Sequence, residues 1–362
     1  DLSSGYTSGI IATNPDSSLA YEDFEAMKEI TFGMVRTYVR REEFLGYLVD
    51  NGISSPKIRE YDSTADLQDA LDRGEVDALV HTFMEIREGQ RLIGRFAPRP
   101  FYYLTYPGND DVMRELNNAI ADLKMNEPGL ETQLMNCFYQ SKLDKTIVFT
   151  LDEKQYLERT DTIKVGYLDS YYPFVYEEDG ECKGLTKEML EGIAALTGIN
   201  ISWQKEANPQ EARSALENGE IDVMSYCVHA EGEAHSHHLS KIKDYVQVPL
   251  VFVSKERTEM ESVESLATVD YLSDKAAELI GMAGTSVKVY DSPKDCLDAV
   301  KDGSVDAVMC DGYLTEYLLS SQMRYYDLEI KNVLSDGLGI SMTVRSDTPE
   351  LAGILNKTLL TI

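Results

Sequence analysis

Asp311 ends a strand that begins near Val305 and precedes a helix read as Gly312 to Leu319. A carboxylate at such a junction has two uses. It caps the helix by accepting its first N–H groups, or it faces a cleft and pairs with a cationic group. Tyr171, Tyr172 and Phe174 follow a second short strand, Ser225 and Tyr226 end a third, and Tyr271 and Ser273 sit in and just after a fourth, read as Val269 to Leu272. Side chains at the carboxyl ends of parallel strands lie where open α/β sheets bind ligands. Aromatic faces with a carboxylate favour a cationic or amine-bearing small molecule, through cation–π contact and a charge-assisted hydrogen bond. Three plainer readings stand beside this one: Tyr172 and Phe174 as core, Asp311 as an ordinary cap, and a neutral polar ligand whose hydroxyls Asp311 accepts.

Other reactive residues carry less. His229, His235, His237 and His238 cluster near Glu231 and Glu233. His-x-His or His-x-x-His spacing suits a metal, but no fixed motif such as H-E-x-x-H frames it, and a solvated loop is the preferred reading. Cys137, Cys182, Cys227, Cys296 and Cys310 are scattered without a C-x-x-C pair. That excludes a zinc ribbon and fits buried free thiols. No P-loop, dinucleotide glycine fingerprint or G-x-S-x-G is present, so neither a cofactor nor an enzyme activity is implied.

Composition narrows the partners. Across 362 residues the net charge is −29, which repels nucleic acid and anionic membrane surface. No apolar run approaches the roughly 20 residues of a spanning helix, so this segment is not expected to insert into a membrane. With 43% hydrophobic residues the chain is globular, and its length suggests two domains.

The elements that must position these residues repeat. Ala70–Asp77, Ala215–Asp222 and Ala299–Asp306 share one pattern: a helix end, a Gly able to take the left-handed conformation, and a strand opening at β-branched residue–Asp. Such units imply parallel α/β layering. Tyr61 to Thr82 aligns with Tyr290 to Asp311 without a gap at a shift of 229, with ten of 22 positions identical, the mark of a duplicated domain. Thr82 stands where the later copy has Asp311, so the two copies are not chemically equivalent. The same shift carries the counterpart of Thr162 to before Asp1, so Ser8–Ala12 reads as the last strand of a first lobe. Around Thr162–Trp203 the pattern is strand, aromatic turn, a hairpin at Asp179-Gly180, a helix with Thr186 as N-cap and Gly198 as stop, and a second strand.

This last stretch resembles the opening of the type 2 periplasmic solute-binding proteins, the bilobed Venus flytrap family of extracellular solute-binding family 3. The charged Phe149–Leu157 resembles the joint between tandem flytraps in membrane sensors such as sensor histidine kinases and flytrap-linked diguanylate cyclases. The resemblance implies an α/β fold of two lobes on a two-strand hinge, in two tandem copies, the first lacking its N-terminal part. Residues 1–150 form the partial first domain, with its second lobe about 28–85, and residues 151–161 a charged linker. Residues 162–362 form the complete second domain, with lobe one at 162–252 and 338–362 and lobe two at 254–333. In the family's amino-acid binders the Asp matching Asp311 takes the ligand ammonium and an Arg clamps its carboxylate. Here Ser225–Glu233 contains no Arg, which argues against a simple α-amino acid. The implied function is an extracytoplasmic small-molecule sensor of a membrane-anchored signalling protein, tethered by a transmembrane helix outside this segment. The alternative is a transporter-associated solute-binding protein, and an enzyme on the same scaffold is the third class. The expected cleft has Tyr171, Tyr172, Phe174, Ser225 and Tyr226 on one wall and Tyr271, Ser273 and Asp311 on the other. Asp311→Asn is then expected to weaken binding and to change folding little, since Asn also caps helices.

Overall fold

The computed structural model describes residues 2–127, 130–227, 238–259, 262–280, 285–334 and 337–361. It divides into two compact units, Asp1–Gln155 and Tyr156–Leu360. Among the described residues no helix is long and apolar enough to cross a membrane.

The first unit contains one five-stranded sheet. Its strands are β1 (Gly5–Thr13), β2 (Thr31–Val35), β3 (Lys57–Tyr61), β4 (Ala78–Thr82) and β5 (Arg91–Phe101), in the order β3-β2-β4-β1-β5. Strand β2 runs parallel to β3 and β4, while β1 runs antiparallel to β4 and β5. One face buries Phe32, Met34, Phe44 and Leu48, and the other buries Leu67, Leu71 and Val76 beneath the helix Thr64–Asp72. Ser8–Ala12 does not close a separate lobe. It lies inside β1, bonded on both edges, and the fully buried run Ile10-Ile11-Ala12 suits a strand covered on both faces.

The second unit has a six-stranded sheet, a five-stranded sheet and a small three-stranded one. Its strands are β6 (Thr162–Tyr167), β7 (Ser170–Tyr171), β8 (Val175–Glu178), β9 (Glu181–Lys183), β10 (Asn200–Lys205), β11 (Val223–Cys227), β12 (Leu239–Lys241), β13 (Val246–Val248), β14 (Leu250–Lys255), β15 (Ser265–Val269), β16 (Ser286–Tyr290), β17 (Ala307–Asp311), β18 (Leu328–Val333) and β19 (Leu338–Arg345). Lobe one is built on β10-β6-β11-β19-β12, with β13 also paired to β19, and lobe two on β16-β15-β17-β14-β18. The hairpin β8–β9 turns at Asp179 and Gly180, both at positive φ, and joins β7 in the small sheet. The chain crosses from β13 to β14 at Pro249, which has no N–H to continue a ladder, and crosses back between β18 and β19. The lobe-two sheet repeats the strand order and directions of the first unit, with β16, β15, β17, β14 and β18 in the places of β3, β2, β4, β1 and β5.

The thrice-repeated Gly and Asp have a structural role. Gly74, Gly219 and Gly303 take φ of +69°, +74° and +83°, a left-handed conformation that costs a residue with a Cβ. Each following Asp reaches the start of the neighbouring parallel strand. Asp77 Oδ2 accepts from Thr31 N at 2.7 Å and Asp222 Oδ2 from Lys164 N at 2.8 Å. Asp306 Oδ2 accepts from Glu264 N at 3.1 Å, Ser265 N at 2.9 Å and Ser265 Oγ at 2.7 Å. These bonds tie the helix–Gly–strand unit to the next strand and fix the parallel register.

The Ser265 hydroxyl, with the backbone N–H groups of Glu264 and Ser265, holds the Asp306 carboxyl below the usual range. A depressed carboxyl contributes stability above its unfolded pKa, near 4, and loses it as pH falls. Asp306→Ala is therefore expected to cost about 1.5–3 kcal/mol at pH 7, with the deficit shrinking at pH 3. Urea denaturation at both pH values reads this directly.

Candidate functional site

The aromatic turn of lobe one is locked to the helix Leu185–Thr197. Phe174 N donates to Tyr171 O at 2.8 Å, Leu185 N to Pro173 O at 3.1 Å, and Thr186 N to Phe174 O at 2.9 Å. The helix cap is Gly184, not Thr186. Backbone packs on backbone here: a Cβ on Gly184 would lie 2.4 Å from Phe174 O, and its φ is +114°. Thr186 sits inside the helix, fully buried, with Oγ1 2.7 Å from the Tyr245 hydroxyl. The turn is thus held from both sides, and its rings are presented in a fixed direction.

Those rings meet others from both lobes. Tyr171 stacks on Tyr226 at 4.0 Å between centroids, and Phe174 lies 5.9 Å from Tyr226. Across the lobes, Tyr172 stacks on Tyr317 at 3.9 Å and 22°, and Phe174 approaches Tyr313 at 6.3 Å. Phe174 and Tyr226 are buried, while Tyr171 and Tyr172 keep part of their surface. The core reading of Phe174 and its cleft position therefore hold together, because this core is where the lobes touch.

The lobe-two wall starts earlier in the chain than its sequence implies. Strand β15 ends at Val269, where its partner β16 ends at Tyr290. Asp270–Leu272 is a single 3₁₀ turn, and Ser273 opens the helix Ser273–Ile280. Tyr271 therefore stands just beyond the sheet edge rather than in a strand. Ser273 remains partly exposed and joins none of the ring contacts.

Asp311 is 1% exposed. Its Oδ1 accepts from Tyr313 N at 2.7 Å and Leu314 N at 3.2 Å, so it caps the helix Gly312–Ser321. Burial pushes its pKa up to about 7, against the opposing pull of those two N–H groups. The Tyr226 phenol is raised well above its ordinary value, first by burial and then by the nearby Tyr271 and Asp311. Burial likewise raises Tyr271, with Tyr171 and Asp311 next in weight. Tyr226, Tyr271, Tyr171 and Asp311 thus form one electrostatic neighbourhood drawn from both lobes. Within it the Tyr226 hydroxyl is buried without a hydrogen-bond partner among the described residues, as is the Oγ of Ser225, its neighbour on β11. A buried polar group left unpaired costs about 1–3 kcal/mol, and its usual occasion is a missing ligand or water.

Of the expected residues, the structure gathers Tyr171, Tyr172, Phe174, Tyr226, Tyr271 and Asp311, places Ser225 beside Tyr226 on β11, and leaves Ser273 aside. Tyr245, Tyr313 and Tyr317 were missed. Tyr313 and Tyr317 are four apart at the start of the helix that Asp311 caps, a spacing that puts both on one face. His229, His235, His237, Glu231 and Glu233 lie outside the described residues, and His238 is exposed. Among the described residues no His, Cys, Asp or Glu cluster fits a metal.

The profile of the bacterial extracellular solute-binding proteins, family 3, matches residues 163–362. The chain is 23% identical over 276 residues to the sensor protein EvgS of Escherichia coli O157:H7, covering 73% of this chain and 22% of that protein. Among solved structures, the periplasmic VFT2 domain of Bordetella pertussis BvgS superposes with a TM-score of 0.55 at 21% identity, over 59% of this chain and 93% of that one. The BvgS periplasmic domain gives 0.53 at 17% identity, over 100% of this chain and 72% of that one. The shared fold is the bilobed flytrap.

Burial of Asp311 has a consequence for stability that its capping role hides. A carboxyl raised above its unfolded value contributes stability below pH 4 and loses it as pH rises through about 7. Asn keeps an oxygen for the two N–H groups and has no charge to desolvate. Asp311→Asn is therefore expected to stabilise the ligand-free protein at pH 8, by up to about 4 kcal/mol, and far less at pH 5. This replaces the expectation of unchanged folding. Urea melts of both proteins at the two pH values test it; a margin that does not grow with pH counts against a buried carboxyl.

Proposed function

The chain belongs to the bacterial extracellular solute-binding proteins, family 3, and on that premise we propose that it is the extracytoplasmic sensing segment of a membrane-anchored signalling protein, with its ligand bound between the lobes of the second unit. The observation that carries the binding reading is the Asp311 carboxyl, buried between lobes near the unpartnered Tyr226 hydroxyl. A cation or amine seated there donates a charge-assisted hydrogen bond to Asp311, offers a partner to Tyr226, and meets the faces of Tyr171 and Tyr271. No step of this reading needs a catalytic group. The sensor reading over transport rests on extent: similarity to EvgS runs over 276 residues, beyond the 163–362 span of the solute-binding profile. The matched stretch spans 22% of the length of EvgS, so tether and output remain part of the proposal.

Titration calorimetry of the full segment against small amines, amino acids and neutral polyols tests the site. Asp311→Asn is expected to weaken the best ligand by on the order of 1–3 kcal/mol, and Tyr226→Phe to weaken it while leaving the ring stack. Equal affinity in Asp311→Asn, or a plain dicarboxylate as best ligand, would sink the reading.

We further infer that the first unit is the second lobe and closing segment of another flytrap, and that its apolar face is the seat of a first lobe. Tyr103, Leu104 and Tyr106 are 58%, 93% and 84% exposed, and the helix Asp110–Asn126 buries no residue. In the second unit, β19 is paired on both edges and the helix Pro349–Leu359 buries Leu351, Ile354 and Leu355. Hydrogen exchange is accordingly expected to be much faster over 102–106 than over 338–345. Equal protection of the two segments would remove the support for this inference.

A further inference from the structure

Strands β1 and β14 hold the same place in their sheets, so one row of residues can be compared across the two copies. In lobe two, Val251 on β14 stands opposite Cys310 on β17 and Val333 on β18. In the first unit, Ile10 on β1 stands opposite His81 on β4 and Arg95 on β5. Directly opposed residues of antiparallel strands share a face. The row thus reads Cys–Val–Val, wholly buried, in one copy and His–Ile–Arg in the other. The shared architecture needs no basic group here, since its second copy is built without one.

Arg95 is held but not neutralised. Its Nε donates to the Oγ of buried Ser8 at 2.7 Å, and its guanidinium carbon lies 5.0 Å from the centre of the buried Phe83 ring. Burial lowers its pKa, opposed by the Tyr21 phenol and by no carboxylate. Neither Nη hydrogen-bonds a described residue, and Arg95 keeps part of its surface. His81, two residues before Phe83, is 5% exposed, and its Nε2 is buried without a partner among the described residues. Burial, with Arg87 next, lowers the His81 pKa to about 4, so the ring is neutral at pH 7. A buried polar group is costly to leave unpaired, and a ligand is one usual partner.

We propose that Arg95 and His81 form an anion site of the first unit that takes a small monocarboxylate. With Nε engaged by Ser8, the free edge of the guanidinium is its Nη pair, two parallel donors matched to the two oxygens of a carboxylate. His81, carrying its proton on Nε2, offers a further donor to the same anion. One guanidinium and one neutral imidazole supply a single positive charge, which suits a carboxylate better than a phosphate dianion. The site is not the place that matches Asp311. That place is Thr82, which caps the turn Phe83–Glu85, and neighbouring residues of a strand point to opposite faces. The proposal does not depend on the ligand reading of the second unit.

The test is titration calorimetry of the full segment at pH 7 with acetate, butyrate and benzoate, and with inorganic phosphate and chloride at matched ionic strength. At least one carboxylate is expected to bind saturably and more tightly than phosphate, and to slow hydrogen exchange over 8–10, 81–83 and 93–95. The variants take the residues of the other copy, so that the sheet keeps a known packing. Arg95→Val is expected to weaken binding on the order of tenfold or more, and His81→Cys a few-fold. Should Arg95→Val fail to fold by circular dichroism, Arg95→Gln is expected to show the same loss. Asp311→Asn is expected to bind the carboxylate as the wild type does. Saturation by none of the three carboxylates would overturn the proposal. So would tighter binding of phosphate, or unchanged affinity in a folded Arg95 variant. Binding lost in Asp311→Asn but kept in the Arg95 variant would overturn it as well, by placing the carboxylate in the second unit.

Discussion

The Asp311 carboxyl is buried where two lobes meet, and the arrangement around it follows from how little offsets that burial. Two backbone N–H groups lower its pKa, yet desolvation still carries it to about 7. No lysine or arginine among the described residues is near enough to counter the burial. The groups that feel its charge include the phenols of Tyr226 and Tyr271, each held neutral first of all by its own burial. On the reading proposed above, the site takes a positive ligand group. Such a group repays the desolvation of the carboxylate only when it is present, so the binding energy and the strain of the empty site are two sides of one term.

Strand β17 places two aspartates under opposite physical regimes. Asp306, at its entry, is partly exposed and satisfied by Glu264 and Ser265, and it holds the sheet in register. Asp311, at its end, is buried and held by one oxygen. Five residues apart, the first gains stability from its charge and the second loses it. The first unit keeps the register aspartate, as Asp77 bonded to Thr31, and has Thr82 at the other place. The scaffold residue thus recurs and the cleft residue does not, as expected where structure is duplicated and chemistry is local to one copy.

What was legible in the sequence was what local rules govern. The left-handed glycines, the β-branched strand openings and the Asp179-Gly180 hairpin all follow from φ/ψ preferences of single residues. The β-α-β order placed Tyr171, Phe174, Tyr226 and Asp311 at sheet edges because strand ends are local as well. The misses came from tertiary contact. Thr186 has the chemistry of an N-cap, yet the approach of Phe174 O admits only Gly184 at that place. The end of β15 is set by the length of β16, which local propensity does not encode. Tyr313 and Tyr317 read as helix surface until lobe one packs on them. The burial of Asp311, which separates a cap from a ligand group, depends on both lobes together.

Closure itself can be weighed from the contacts that cross the lobes. Tyr172 stacked on Tyr317, and Phe174 tilted against Tyr313, are each worth about 0.5–1.5 kcal/mol beyond area burial. Against them stand the buried charge of Asp311 at neutral pH and the unpartnered hydroxyls of Tyr226 and Ser225, at about 1–3 kcal/mol for each unpaired group. The ring contacts favour closure and the unsatisfied groups oppose it. A ligand that supplies one charge-assisted bond to Asp311 and one partner to Tyr226, as proposed above, would relieve two of the opposing terms in the closed form alone, and a differential affinity of that kind is what shifts a two-state equilibrium.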